Sequence, residues 1–338
     1  MPKLSMRDVH ERRAITRRIV EPLVQGKRDR TAISGYERIT PGPDGRVHTV
    51  LSPVGTSTFR QSSSASPLFG ASTNLQNMSK KIARLDPLYQ LRDCFLPDEG
   101  CVLVAGDYKA AEAVLVAAYA KDWVFYEQLL SDVDIHTEHA RHFFDVDTPT
   151  PFQRDLAKTL TYLSFYGGSP FTATERINKD ADTTGVRVTV EEVTRLRAIL
   201  LQLHPLEAWW AATRAELVRT GGILHNCFGF RRVFRDPDPD YRLKDGLAFY
   251  PQSTVAWLIN WIITDLYALH PALSPALLLQ VHDELLFQTP PDQVDALITA
   301  VTPLYRRPFL LNGHQVHLNV EWKIGPSWGQ LYPYTPPQ

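Results

Sequence analysis

Asp107 and Asp283 are the two residues whose surroundings suggest chemistry. Asp107 follows the apolar run from Cys101 to Ala105 and Gly106; Asp283 sits in His282-Asp283-Glu284, between the apolar runs Leu277 to Val281 and Leu285 to Gln288. A carboxylate at a strand end can project past the sheet while its backbone stays paired. Two such carboxylates on neighbouring strands suit hard cations such as Mg²⁺, which take oxygen ligands; an ion pair about 3.5–4 Å apart can stabilise both the attacking and the leaving oxygen of phosphoryl transfer. Taken singly, each aspartate reads more simply as a turn residue.

The segment 152–166 supplies what those ions would act on. Arg154, Lys158, Tyr162 and Tyr166 recur every four residues, and at about 100° per residue each step drifts only about 40°, so a helix places all four on one face. Two cations match the charge of a triphosphate, and two phenols offer planes for a base or sugar. The plainer alternative is an amphipathic helix with tyrosines in the core and snorkelling cations.

The elements that must position these groups follow from hydrophobic pattern. Cys101 to Ala105 reads as a strand, Ala110 to Ala120 as an apolar helix, and Thr189 with Glu192 as a capping box opening a helix toward Leu203. The runs around His282-Asp283-Glu284 read as a β-hairpin with these three side chains at its tip. Residues 6–24 read as a helix, and Ser52 to Ser79 as a polar, Ser/Thr/Gly/Asn-rich stretch. Strands interleaved with helices, plus a late hairpin, indicate an α+β fold with an antiparallel sheet.

Composition narrows the class. The 338 residues can bury a substantial core, and three cysteines, Cys94, Cys101 and Cys227, suggest neither a disulfide framework nor a zinc site. No apolar stretch approaches a membrane span, and the first residues are charged, so a cytoplasmic location with no membrane partner is expected. The formal net charge is −1, yet Lys3, Arg7, Arg12, Arg13, Arg17, Arg18, Lys27, Arg28 and Arg30 crowd the first thirty residues. Such a run fits a phosphate-binding surface or a solvated helix face.

In order and interval the motifs resemble family A DNA polymerases, the bacterial repair-polymerase type also found in many phages. Asp107-Tyr108 with Glu112 resembles the family's motif A; Asp134-Ile135-His136-Thr137 its DIHT segment; Arg154, Lys158, Tyr162 and Tyr166-Gly167 its fingers helix, motif B; Gln280-Val281-His282-Asp283-Glu284 its motif C. The resemblance covers about residues 46 to 330 and implies a right-hand fold. Its parts would be a palm at 46–150 and 227–338, fingers at 151–226, and a basic helical thumb remnant at 1–45.

By that resemblance the chain extends a primer 3′-hydroxyl on a DNA template with dNTPs, using two Mg²⁺ ions, or Mn²⁺ as a substitute. Asp107 and Asp283 would bind the metals with the Tyr108 carbonyl, and Glu284 would support the site. Arg154 and Lys158, helped by His136, would neutralise the triphosphate. Glu112, held near Tyr166, would be the sugar gate that excludes a ribose 2′-hydroxyl, and Tyr162 would favour acceptance of dideoxynucleotides. Arg60, Asn74 and Asn77 would line the minor groove of the primer-template, Gln252, Gln280 and His282 would touch the primer terminus or template, and Arg231 and Arg232 would bind backbone phosphate. A single-subunit RNA polymerase, or a degenerate DNA-binding subunit, is the alternative.

This chain departs from the family pattern at Lys109, Ala110 and Val114 in motif A, in a longer interval between Arg60 and Asn74, and at Ala248. About a hundred residues precede Asp107, which gives the expectation of no intrinsic 3′ to 5′ exonuclease, with either the basic N-terminal helix standing in for the thumb or a separate polypeptide supplying thumb and exonuclease.

Overall fold

Residues 39, 41–64, 74–78, 91–179 and 187–336 are described by a computed structural model; the expected basic helix at 6–24 and part of the Ser/Thr-rich stretch lie outside them. In chain order the elements begin with β1 (Val50–Ser52), β2 (Ser62–Ser64), β3 (Val102–Tyr108), α1 (Ala111–Tyr119), α2 (Trp123–Leu130), α3 (Ile135–Phe144) and α4 (Pro151–Phe165). Next come α5 (Pro170–Lys179), α6 (Val190–Leu203), α7 (Leu206–Arg219), β4 (Ile223–His225), β5 (Arg231–Val233) and α8 (Pro239–Leu269). The chain continues through β6 (Leu277–Val281), β7 (Glu284–Thr289), α9 (Val294–Tyr305), β8 (Phe309–Leu311), β9 (His314–Val316), β10 (Val320–Gly325) and β11 (Tyr332–Tyr334). The mixture and the wholly antiparallel main sheet bear out the α+β reading.

That sheet runs β11-β10-β3-β7-β6, so β3 is central and buried on both faces. Side chains alternate across a strand. Val104 and Tyr108 pack with Leu285, Phe287 and Trp322 in the main core, under α1, α8 and α9. Leu103 and Ala105 face the other way, into a smaller core with Leu75, Leu286 and Trp328. Asp107 shares this second face, at the strand's end. A separate core of Ala140, Phe143, Leu156, Leu160, Val193, Leu196 and Leu200 unites α3, α4 and α6.

Local signals account for the helices that matter here. Thr150 forms a reciprocal capping box with Gln153, and Pro151 begins α4. Gly168 N–H bonds the Leu163 carbonyl and Gly167 N–H that of Ser164, with Gly167 at φ 68°, a Schellman stop. The helix therefore ends at Phe165, one residue earlier than expected, and Tyr166 is its cap. The expected helix from Thr189 is α6, with the capping box formed as read. The Ser/Thr-rich stretch holds the β1–β2 hairpin and a single helical turn at Leu75–Asn77.

A buried polar chain joins the two helical cores. Asp122 caps α2 and lies 2.7 Å from His204 Nδ1; His204 Nε2 is 2.9 Å from His139 Nε2; His139 Nδ1 is 2.9 Å from Thr161 Oγ1 on α4. Buried polar groups need such partners, since an unsatisfied one costs about 1–3 kcal/mol.

Gly106 is the tightest point of the central strand. A Cβ there would lie 2.7 Å from the Trp322 ring and 3.1 Å from the Tyr305 hydroxyl, which donates to the Gly106 carbonyl at 2.7 Å. Gly106→Ala is expected to destabilise the protein by roughly 1–3 kcal/mol through overpacking, read as a lowered midpoint of urea unfolding.

Candidate active site

The β3–β7 register sets Asp107 directly opposite Glu284, and Val281 pairs with Glu284 across a two-residue turn made by His282 and Asp283. His282 takes φ 58°, the left-handed value such a tight hairpin needs at its first turn position. Only His282 and Asp283 occupy the tip, which corrects the three-residue expectation: Glu284 is already strand and is 4% exposed.

Glu284 is held from below. Its Oε1 accepts from Trp328 Nε1 at 3.2 Å and lies 4.0 Å from Arg92 Nη1, whose guanidinium stacks over Trp328 at 4.0 Å. Arg92 also donates to the Met78 carbonyl. Asp107 Oδ2 is 4.0 Å from Lys323 Nζ on β10. Burial pushes the Asp283 carboxyl up and Glu112 adds to this, against its own backbone N–H and the charges of Arg60 and His282.

Glu112 lies in the first turn of α1 and is gripped at both oxygens. Oε1 accepts from Arg60 Nη2 at 2.6 Å, and Oε2 accepts from the Tyr166 hydroxyl at 2.6 Å. Burial and the Glu112 charge push the Tyr166 phenol far up, so it stays a donor. Tyr162 is pushed up in the same way, by burial and then by Glu112 and Asp283. Tyr162 therefore bridges the acidic centre and the cationic half of α4; its ring is 5.9 Å from that of His136.

In that half Arg154 makes a two-point contact with Asp134, Nε to Oδ2 at 2.6 Å and Nη2 to Oδ1 at 3.2 Å. Asp134 also caps α3 through the N–H groups of His136 and Thr137. Burial pushes its carboxyl up, but the bonds from Arg154 and Thr137 outweigh this and hold it low. Lys158 stands exposed one turn along. His136 is pulled down to about 4 by burial and then by Lys158 and Arg154, so at neutral pH it is an uncharged partner.

Around this centre the expected nucleic-acid contacts divide. Asn74 caps the turn at Leu75–Asn77, accepting from the Asn77 N–H, and Asn77 is exposed. Gln280 is buried: its Nε2 donates to the His282 carbonyl at 2.6 Å, and its Oε1 accepts from Gln76 at 2.8 Å. Gln280 thus braces the turn bearing Asp283. Gln252 is half-buried on α8, and His282 and Arg231 are exposed. Arg232 is committed to Asp245 through both Nη atoms and lies over the Phe234 ring at 4.5 Å. Asp134, Arg92, Trp328 and Lys323 were not singled out from sequence; Asp134 lay within a quoted motif, whereas the others are joined to the site only by long-range pairing.

Among the described residues no three His, Cys, Asp or Glu side chains by themselves enclose an ion. The donors on offer are the Asp107 and Asp283 carboxylates and the Tyr108 carbonyl, all oxygen. That set fits Mg²⁺, which typically takes one or two carboxylates and completes its shell with waters and substrate phosphates.

The sequence model of DNA polymerase family A matches residues 3–330. The chain belongs to that family. A thermostable DNA polymerase I of Thermus aquaticus is 30% identical over 327 residues, covering 92% of this chain and 36% of that protein. The DNA polymerase I of Bacillus subtilis (strain 168) is 27% identical over 335 residues, covering 95% and 36%. The chain thus spans about a third of the length of these curated relatives. The solved POL domain of Pol1 from M. smegmatis, in complex with DNA primer-template and dNTP, superposes with a TM-score of 0.74 at 22% identity, covering 94% of this chain and 55% of that one. The family A polymerase fold is therefore established for this chain. Among the described residues no helix is long and apolar enough to cross a membrane.

The histidines give this site an acid sensitivity. Unfolded histidine takes its proton near pH 6.5, whereas His136 resists to about 4, and His139 is held low by burial and then by His204. Between these values the unfolded chain binds more protons, so stability falls as pH drops below about 6.5. The expected slope is up to ~1.4 kcal/mol per pH unit per histidine, measured by urea unfolding from pH 7 to 5, and His136→Gln should remove one histidine's share.

Proposed function

We propose that this chain is a template-directed DNA polymerase that extends a primer 3′-hydroxyl with deoxynucleoside triphosphates. The observation that carries the reading is Glu112 clamped between Arg60 and Tyr166, beside Asp283 and at the end of a helix whose other half presents Arg154 and Lys158. A basic stretch, an aromatic and a gripped carboxylate lie together, and they match the triphosphate, the base and the sugar of a nucleotide in turn. The solved relative holds DNA primer-template and dNTP, and we extend those partners to this chain. The ranges 46–150 and 227–338 would form the palm and 151–226 the fingers.

The residues divide the work by charge. Arg154, released from its half-exposed partner Asp134, and Lys158 receive the triphosphate, while neutral His136 contributes a hydrogen bond. Tyr162 and Tyr166 offer planes near the base and sugar. Glu112 fills the space beside the sugar 2′ carbon, so a ribose hydroxyl would meet a fixed carboxylate. Asp107 and Asp283, with the Tyr108 carbonyl, would hold two Mg²⁺ ions, which when bound supply the positive charge that activates the primer hydroxyl and stabilises the leaving pyrophosphate. Glu284, tied to Trp328 and Arg92, keeps the hairpin at its distance from β3. Arg60, Asn74, Asn77, Gln252, His282 and Arg231 would meet the duplex, where minor-groove acceptors are common to all base pairs and report geometry rather than sequence.

Primer extension on a defined template with Mg²⁺ tests this directly. Deoxynucleotides should be incorporated far better than ribonucleotides, and Asp107→Ala should lower extension by at least about a thousandfold, ~4 kcal/mol. Extension that persists in Asp107→Ala would refute the mechanism. Tyr162 yields a separate expectation: its hydroxyl can replace the hydrogen bond lost when a substrate lacks its 3′-hydroxyl. Wild-type protein should accept dideoxynucleotides readily, and Tyr162→Phe should discriminate against them roughly tenfold or more, the value of one good hydrogen bond, measured as the ratio of kcat/KM values.

A further inference from the structure

Phe59 has φ 60°, a left-handed backbone conformation that a bulky side chain rarely adopts. Its ring lies 4.0 Å from that of Phe230, in the loop of the β4–β5 hairpin, and Phe230 meets Trp257 of α8 edge-on at 4.9 Å. The hairpin loop is itself fastened: Asn226 Oδ1 accepts from the N–H groups of Phe228 and Phe230, and Asn226 Nδ2 donates to Ser253 Oγ on α8 at 3.1 Å. On the other side of Arg60, Gln61 Nε2 donates to Asn260 Oδ1, again on α8, at 2.6 Å. Arg60 is therefore the middle residue of a three-residue segment anchored at both ends to α8, directly by Gln61 and through the rings by Phe59. From there it donates to Glu112 Oε1 at 2.6 Å, while its buried Nε has no partner among the described residues.

We infer that the Phe59–Phe230–Trp257 ring stack is a positioning element for sugar selection, resting on the polymerase reading above. Tyr166 alone would leave Glu112 one anchored oxygen about which to swing. With Arg60 fixed on the opposite oxygen, the carboxylate cannot turn aside to admit a 2′-hydroxyl. The rings act at a distance from the carboxylate, by holding a strained backbone that aims Arg60 at Glu112. Selectivity against ribonucleotides in this chain thus depends on aromatic residues outside the catalytic centre.

The test is the ratio of kcat/KM for a deoxynucleotide to that for its ribonucleotide, measured with the full chain on one primer-template. Phe230→Ala should lower the ratio about tenfold while changing deoxynucleotide kcat/KM no more than about threefold, and Phe230→Tyr, which keeps the ring, should restore it. Phe59→Gly, which accepts the backbone angle but lacks the ring, should behave as Phe230→Ala does. In a Glu112→Gln background Phe230→Ala should lower the ratio no further, because both changes act through one carboxylate. A ratio unchanged by Phe230→Ala and by Phe59→Gly, a proportional loss with both sugars, or full additivity with Glu112→Gln would overturn the inference and leave the polymerase reading standing. Failure of the wild-type chain to extend any primer would overturn both.

Discussion

Like charges held side by side repel, and the central sheet forces that situation: the β3–β7 ladder sets Asp107 across from Glu284, and the turn places Asp283 one residue beyond. The remaining architecture is arranged to make the repulsion bearable. Glu284 is buried but receives Trp328 N–H and the Arg92 guanidinium; Asp107 has Lys323 nearby; Asp283 and Glu112 both feel Arg60. A buried charge lacking such partners costs several kcal/mol. Positive groups drawn from β10, from the segment preceding β3 and from the loop before β2 therefore converge on one strand end, and in doing so fix how those segments pack.

The cations differ in how firmly they are engaged. Arg154 and Asp134 are 40% and 45% exposed in their side chains, and an exposed pair is worth about 0–1 kcal/mol, so little free energy ties Arg154 to its partner. Asp134 has a second task independent of that pair, capping α3. Arg92 is engaged differently: it is buried under Trp328 with its Nε and Nη2 on a carbonyl, and it serves the scaffold. The same residue type thus makes a loosely held pair at the surface and a brace inside.

Much of this was legible in sequence because it is local. The α4 face, the α6 capping box and the apolar runs flanking Asp283 are patterns within a few residues, and each formed close to its expected bounds. Glu284 was misplaced by one position because a turn's length is set by its dihedrals, and His282 adopts φ 58° without the usual glycine. What could not be read was long-range. Trp328, which follows β10, and Arg92, which precedes β3, meet Glu284 only because β10 and β7 both pair with β3, and the Arg232–Asp245 pair likewise comes from packing rather than from any local pattern. Nothing local in the sequence announces that the Phe59 backbone takes a left-handed conformation.

The strand order has a temporal consequence. β3 precedes both its neighbours, β7 and β10, in the chain, and these are made only after all the helices of the second core. Pairing across such a span is slow, since the chain between must be closed before any ladder bond rewards it. The helical lobe, built from near contacts, can be complete while the central strand of the main sheet still lacks partners on either edge. A nascent chain therefore carries α4 before it owns an acidic centre, and the sheet around Asp107 is complete only when β10 docks. A ribosome stalled before that strand would display a folded but chemically silent lobe with an open, aggregation-prone edge.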